Sequence, residues 1–316
     1  MTWQILYNPK AGNGRGKEGA EKLKDILHNG ELTFTDMTDI TDTAAFQRSL
    51  GADDKLVICG GDGTLNRFIN DFDLSCISNE IYYYATGSGN DFLRDIAGAS
   101  ADAPVLINDY IKDLPTVTVQ GKTYKFLNGI GYGIDGYCCE VGDRLREQGD
   151  SKINYTGIAI KGLLFHYKPR DAVITVDGIN CPYKKVWLAP TMNGRYYGGR
   201  HEFKKVWLAP TMNGRFYGGG MMPTPNQNRL GLNRSLSVMV FFGSSKLKTL
   251  AIFPSIFKGE HINHRHNIKV LCGHEITVRF DRPTPLQIDG ETILGVTEYT
   301  VRAADEAACA DIEAAE

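Results

Sequence analysis

The chain is poor in the features that would send it outside the cell or into a membrane. Its seven cysteines are scattered, odd in number and without a Cys-x-x-Cys pair. That usage argues against a disulfide framework and for a reducing compartment. No run of about 18 apolar residues occurs, so no transmembrane segment is expected. The start, Met1-Thr2-Trp3-Gln4, lacks the basic and apolar regions of a signal peptide, and a cytoplasmic location is expected. A formal net charge of -2 gives no broad basic field, so no nucleic-acid partner is expected. What remains is a globular composition, 42% hydrophobic and 23% charged, in 316 residues. That length holds one large domain or two ordinary ones.

The most informative stretch is Leu56–Asn70. Leu56–Cys59 reads as a buried strand, and Leu65, Phe68 and Ile69 are spaced as one face of a helix. Between them lies Gly60-Gly61-Asp62-Gly63-Thr64. Strand, glycine turn and helix present backbone N–H groups to a phosphate, and glycines let the main chain approach closely. A carboxylate there suits a metal ion between Asp62 and phosphates. The plainer alternatives are a tight turn, with Asp62 capping its own helix at Thr64–Asn66.

Tyr7-Asn8-Pro9-Lys10-Ala11-Gly12 precedes this stretch and Thr86-Gly87-Ser88-Gly89-Asn90-Asp91-Phe92 follows it. The first is no Walker loop, because Lys17 is followed by Glu18, and no dinucleotide fingerprint, because position 17 is not Gly. Strands at Trp3–Tyr7, Thr33–Met37, Leu56–Cys59 and Ile81–Ala85 alternate with helices near Lys17–Leu27, at Phe46–Leu50 and at Ala103–Ile111. This pattern predicts an α/β domain with an open, mainly parallel sheet, its loops gathered at one edge. Beyond it come short strands with Gly and Pro turns, including Val117–Val119, Ala172–Val176, Ser235–Phe242, Ile276–Phe280 and Leu286–Ile288. They predict a β-rich, mainly antiparallel second domain. The expected division is 1–118 and 119–295. Near the end, Leu286-Gln287-Ile288-Asp289-Gly290-Glu291 contains Asp-Gly, which by itself reads as a hairpin turn.

Taken in order, the motifs at Asn8–Gly12, Gly60–Thr64, Gly87–Phe92 and Asp289–Glu291 resemble the catalytic domain of the diacylglycerol kinase and sphingosine kinase family, and most of all its soluble bacterial lipid kinases. The resemblance spans nearly the whole chain. It implies transfer of the γ-phosphate of ATP, with Mg²⁺, to a lipid hydroxyl at the membrane surface, with diacylglycerol the leading acceptor. It assigns nucleotide binding to Asn8, Pro9, Lys10, Ala11 and Gly12, to Thr38, to Gly60, Gly61, Asp62, Gly63, Thr64, Leu65 and Asn66, and to Gly87, Ser88, Gly89, Asn90 and Asp91. Asp62 is the implied Mg²⁺ contact or lies close to the acceptor. Asp289 is the implied general base, with Glu291 tuning it or binding metal. The resemblance also implies that the last strand, near 296–303, returns to the first domain. A homodimer is left open.

Two departures matter. The stretch Pro225–Leu236 has no acid, so a second, structural Mg²⁺ of the kind found in some bacterial members lacks its carboxylate. Lys184–Gly199 and Lys204–Gly219 are the same sixteen residues apart from Tyr196 and Phe216, a tandem duplication within 183–222. The second copy runs into Gly220-Met221-Met222-Pro223, as the family pattern has it. It is expected to hold the family position, and the first copy to be an extra strand or surface excursion. His261, His264 and His266 lack a Cys or carboxylate at zinc-like spacing, and Lys258–Lys269 reads as a basic surface loop. The rival readings are an NAD-directed or polyphosphate-directed kinase, which shares the Gly-Gly-Asp-Gly loop, and a nucleotide-binding regulator without turnover.

Overall fold

The structure is a computed structural model that describes residues 1–87, 90–98, 102–150, 153–193, 221–231 and 234–304. The chain divides into two units, the first holding Met1–Lys112 and the second beginning at Asp113.

The first unit is a five-stranded sheet ordered β2-β1-β3-β4-β5. Its strands are β1 (Thr2–Tyr7), β2 (Glu31–Asp36), β3 (Lys55–Gly60), β4 (Ile81–Ala85) and β5 (Val105–Leu106). β1 to β4 are parallel, and β5 joins β4 antiparallel. The central strand β3 buries Leu56, Val57, Ile58 and Cys59 completely. Such a continuous apolar run suits a strand covered on both faces. The helix Asp62–Asp71 buries Leu65, Phe68 and Ile69, the face predicted from their spacing. The helix expected from Lys17 begins as Gly16–Glu21 and tightens into a 3₁₀ turn at Lys22–Asp25. The helix expected over Ala103–Ile111 is reduced to Asn108–Ile111, because Val105–Leu106 extends the sheet. Asn108 fixes that edge: its Oδ1 accepts from Ile81 N at 2.7 Å and its Nδ2 donates to Asn79 O at 2.9 Å.

The second unit is β-rich and antiparallel throughout. Its strands are β6 (Thr116–Val119), β7 (Lys122–Lys125), β8 (Gly129–Tyr132), β9 (Arg170–Val176), β10 (Ile179–Val186), β11 (Thr191–Met192), β12 (Leu236–Phe241), β13 (Ile268–Gly273), β14 (Glu275–Ile288) and β15 (Glu291–Arg302). The main path runs β13-β12-β11-β8-β14-β15-β6-β7, and β9 with β10 branches from β14. β14 therefore serves two neighbours on one side: its first half pairs with β9 and its end with β8. Register shifts between Arg279 and Leu286 lie at the change of neighbour. Ile174, Val238, Ile276, Val278, Leu286 and Val301 fill the core.

One sequence expectation differs from what is observed, and a second is narrowed. The last strand does not return to the first sheet: β15 pairs with β14 and with β6, where Val301 lies opposite Val117. The alternating inward side chains of β15 (Val296, Tyr299, Val301) belong to the second core. The first copy of the duplication, expected as an extra strand or a surface excursion, takes the strand alternative. It completes β10 and forms β11, burying Val186, Trp187, Leu188, Ala189 and Met192. The hairpin of β9 and β10 feeds directly into it, so it reaches the sheet without an intervening loop. The second copy lies outside the described residues.

Candidate active site

In the first unit the parallel strands place four loops in a row along their C-terminal edge. These are Met37–Thr38 after β2, Asn8–Gly12 after β1, Gly60–Asn66 after β3 and Thr86–Asp91 after β4. β1 lies between β2 and β3, so the strand order reverses beside β1, the crevice where open α/β sheets take ligands.

Close backbone approach holds these loops together. A Cβ on Gly87 would stand 2.5 Å from Gly61 Cα, and one on Gly16 would stand 1.8 Å from Asn8 O. Gly12, at φ +58°, brings its turn against Thr86 O. Asn8 Oδ1 accepts from Lys10 N at 3.0 Å and orders the first loop. Thr86 N donates to Gly60 O at 2.8 Å, tying the third loop to the fourth. Thr38 is exposed, and its N–H and hydroxyl both donate to Asp36 Oδ1. Leu65 is wholly buried and Thr64 nearly so, so this turn offers main chain rather than those side chains. Ser88 and Gly89 lie outside the described residues.

Asp62 does not cap its own helix, whose cap position is Gly61. Its Oδ2 accepts from Asp91 N at 2.9 Å and its Oδ1 from Phe92 N at 3.1 Å, so it caps the helix Asp91–Ala97. The carboxylate thus belongs to two loops at once. Asn90, in the left-handed region at φ 57°, makes that arrangement possible. Its Nδ2 donates to Gly87 O at 2.9 Å, and its Oδ1 is buried without a partner.

The second unit holds Asp289 and Glu291. Asp289 and Gly290 form the two-residue turn between β14 and β15, with φ 46° and 99°, as Asp-Gly predicts. The Asp289 carboxylate accepts three consecutive backbone donors, from Leu127 N at 2.6 Å, Asn128 N at 2.9 Å and Gly129 N at 3.0 Å. Glu291 is exposed, the first residue of β15.

A second carboxylate here has no counterpart among the sequence expectations. Asp135 sits in the first turn of the helix Ile134–Glu147 and accepts from Gln287 Nε2 at 2.9 Å. Gln287 Oε1 in turn accepts from Gly290 N at 2.6 Å, which links Asp135 to the Asp289 turn. Burial raises the Asp135 carboxyl to about 6, with the Gln287 hydrogen bond opposing it. A Cβ on Gly131 would come within 1.6 Å of Asp135 Oδ2, so glycine is required beside it. The spacing Gly129, Gly131, Gly133, Asp135, Gly136 was the available signal. Arg229, buried in the acid-free stretch, donates to Leu127 O at 3.3 Å and to Asn128 Oδ1 at 3.1 Å. It braces the segment that holds Asp289. His261 is buried, and its Nε2 lies 2.8 Å from Pro223 O, a packed role rather than a surface one. Among the described residues no group of three or more His, Cys, Asp and Glu could hold a metal, and no helix is long and apolar enough to cross a membrane.

Known proteins resemble both units. Residues 2–118 match the diacylglycerol kinase catalytic domain, and residues 128–307 match the YegS C-terminal NAD kinase beta sandwich-like domain. A diacylglycerol kinase of Mycobacterium tuberculosis (strain ATCC 25618 / H37Rv) is 25% identical over 271 residues, covering 81% of this chain and 78% of its own length. A solved diacylglycerol kinase from Bacillus anthracis str. Sterne shares the fold at TM-score 0.52 and 17% identity, over 96% of this chain and 94% of its own. A second solved chain from that organism reaches TM-score 0.59 at 19% identity, over 95% of this chain and 93% of its own. The two domain matches follow one another along nearly the full sequence, and the chain belongs to the diacylglycerol kinase catalytic-domain family with a YegS-type C-terminal domain, kinases that transfer phosphate to an alcohol.

Proposed function

We propose that the protein transfers the γ-phosphate of ATP to a lipid hydroxyl, with diacylglycerol as the leading acceptor. The observation that carries this reading is the close approach of Gly61 and Gly87 at the sheet edge, where any Cβ on Gly87 would collide. Two glycine loops whose main chains meet with no Cβ between them are what close approach to a polyphosphate needs. Asn8–Gly12 and Thr38 extend it along the same edge. Diacylglycerol is favoured by the name of the Mycobacterium tuberculosis relative.

Mg²⁺ supplies charge neutralisation on the phosphates when bound. Asp62 fits such a role by its chemistry, since a carboxylate supplies the hard oxygen that Mg²⁺ prefers and its contacts to Asp91 N and Phe92 N hold it between the two loops. Asp289 is the proposed proton acceptor for the lipid hydroxyl, fixed in place by its three donors. Asp135 is the second reading for that role, because its raised carboxyl is closer to the pH at which a general base works best. In that reading Asp289 anchors the turn and Gln287 couples the two.

The lipid would be met at a membrane surface. Phe165 and Leu247 are 74% and 75% exposed on neighbouring elements, joined where Lys246 Nζ donates to Leu164 O at 2.7 Å. Exposed Lys161, Lys168 and Lys248 flank them in the sequence. Large apolar side chains among cations suit an interfacial contact with anionic lipid.

The test is to incubate the protein with γ-labelled ATP, Mg²⁺ and a panel of diacylglycerol, sphingoid base, glycerophospholipid and polyprenol, with NAD in a separate tube. Label in a lipid phosphate supports the proposal, and the labelled species names the acceptor. Label in NAD alone would assign the NAD-directed alternative. ATP binding without label transfer would leave a regulator.

A further inference from the structure

A cavity of about 220 Å³ lies in the second unit between the helix Ile134–Glu147, the start of β9 and the end of β14. It is lined by donors. Tyr137, His166, Tyr167, Lys168 and Arg170 face it, and Glu140 is the one acid on its wall. Glu140 is engaged by Arg144 at 3.1 Å, and Asp281 nearby pairs with Arg282 at 3.6 Å.

Two of the lining groups are left unsatisfied. Tyr167 is only 5% exposed, and its hydroxyl is buried without a hydrogen-bond partner. Arg170 Nε is likewise buried without one. Leaving such donors unpaired forfeits their hydration without a replacement, most of all for a charged group, so native structures seldom do it without a reason. Burial pushes the Tyr167 phenol well up, with Arg170 opposing it, so the hydroxyl stays a donor at neutral pH. The wall therefore offers a buried O–H, a guanidinium and an ammonium, and its nearest carboxylate is already committed. An oxyanion complements that set, and a planar guanidinium favours phosphate geometry.

We propose that this cavity binds a phosphate group, held by Tyr167 Oη, Arg170 and Lys168. The site is separate from the phosphate-binding loops of the first unit and does not depend on the kinase reading. Its volume suits one phosphate or phosphomonoester headgroup. The exposed Phe165 beside His166 places the cavity next to apolar surface, so a lipid headgroup and free phosphate are both sources of the same chemistry.

The full-length protein is titrated with inorganic phosphate by calorimetry. In parallel it is floated with phosphatidylcholine vesicles containing or lacking phosphatidic acid. Tyr167→Phe removes one oxygen and keeps the ring packing; Arg170→Met removes the charge. Gly87→Val serves as the control for phosphate bound at the nucleotide loops. Binding in at least one arm is expected, with Tyr167→Phe weakening it about tenfold and Arg170→Met more, while Gly87→Val retains this component. Loss in the phosphate arm assigns free phosphate, and loss in the phosphatidic acid arm assigns a headgroup. Binding curves unchanged by Tyr167→Phe in both arms would overturn the proposal, as would a wild-type protein that binds neither probe.

Discussion

In the first unit a carboxylate is clasped between two glycine loops; in the second, a carboxylate fills a two-residue hairpin turn. Asp62 and Asp289 are held in the same manner, by main-chain N–H groups, two for Asp62 and three for Asp289. The surroundings differ. Asp62 joins segments that follow two parallel strands, so its donors come from a helix N-terminus about 30 residues downstream. Asp289 joins strands far apart in sequence, with separations of 160 to 162 residues. Asp135 is the contrast to both: one side-chain donor, and burial that lifts its carboxyl to about 6. Burial acts on Asp135 with only one amide donor to oppose it, and that is the physical cause of its raised carboxyl.

The sharpest way to break the pairing of Asp289 with catalysis is Asp289→Asn. As general base, its loss should lower kcat by about 10²–10⁴-fold. An amide cannot accept three N–H groups as a carboxylate does, so stability should also fall by about 2–3 kcal/mol. Turnover is measured beside chemical denaturation. A loss of stability with near-normal turnover, together with inactive Asp135→Asn, would move the base to Asp135.

Gly87→Val tests the first region in the same spirit. Its Cβ would meet Gly61 Cα at 2.5 Å and force the two loops apart. ATP affinity should drop by about 10²-fold, read by calorimetry, with circular dichroism showing the sheet intact. Full affinity in the folded variant would remove the glycine contact from nucleotide binding.

Asp135 sharpens the comparison through pH. Its carboxyl is raised in the folded state, so between roughly pH 4 and 6 the folded protein binds the proton more tightly than the unfolded chain. The protonated form therefore stabilises the fold at low pH, and this contribution is lost as pH rises through about 6. The loss is on the order of 2–3 kcal/mol. Asp135→Asn should flatten that part of the stability profile, followed by Tm from pH 4 to 7. An unchanged slope would mean that the carboxyl is not raised.

The smallest effect is expected from the duplication. Deleting 184–203 or deleting 200–219 yields two chains that differ only by Phe216 in one and Tyr196 in the other. Either copy then supplies the residues of β11 and runs into Gly220, Met221 and Met222. Loop-length changes cost only about 0.6 kcal/mol per doubling. Both chains should be soluble, with melting temperatures close to the parent and to each other. Aggregation of one alone would show that the copies are not interchangeable.

Local chemistry was enough for much of this protein. Strand β3, its glycine turn and the amphipathic helix behind it were legible because burial period and turn residues are properties of adjacent positions. The same holds for the Asp289-Gly290 hairpin and for the change of texture from alternating strand and helix to short antiparallel strands. What the sequence could not decide depends on partners distant along the chain. The cap that Asp62 provides belongs to the helix after the next strand, 29 and 30 residues away. The last strand joins the second core because Val117 and Val301 face each other, a pairing that neither segment encodes alone. Two copies that differ only at Tyr196 and Phe216 do not show by their own residues which enters the sheet, and the β9–β10 hairpin that leads into the first copy puts that copy there. Asp135 reads as an ordinary acid in the sequence. Its raised carboxyl exists only because folding buries it against Gln287, 152 residues away.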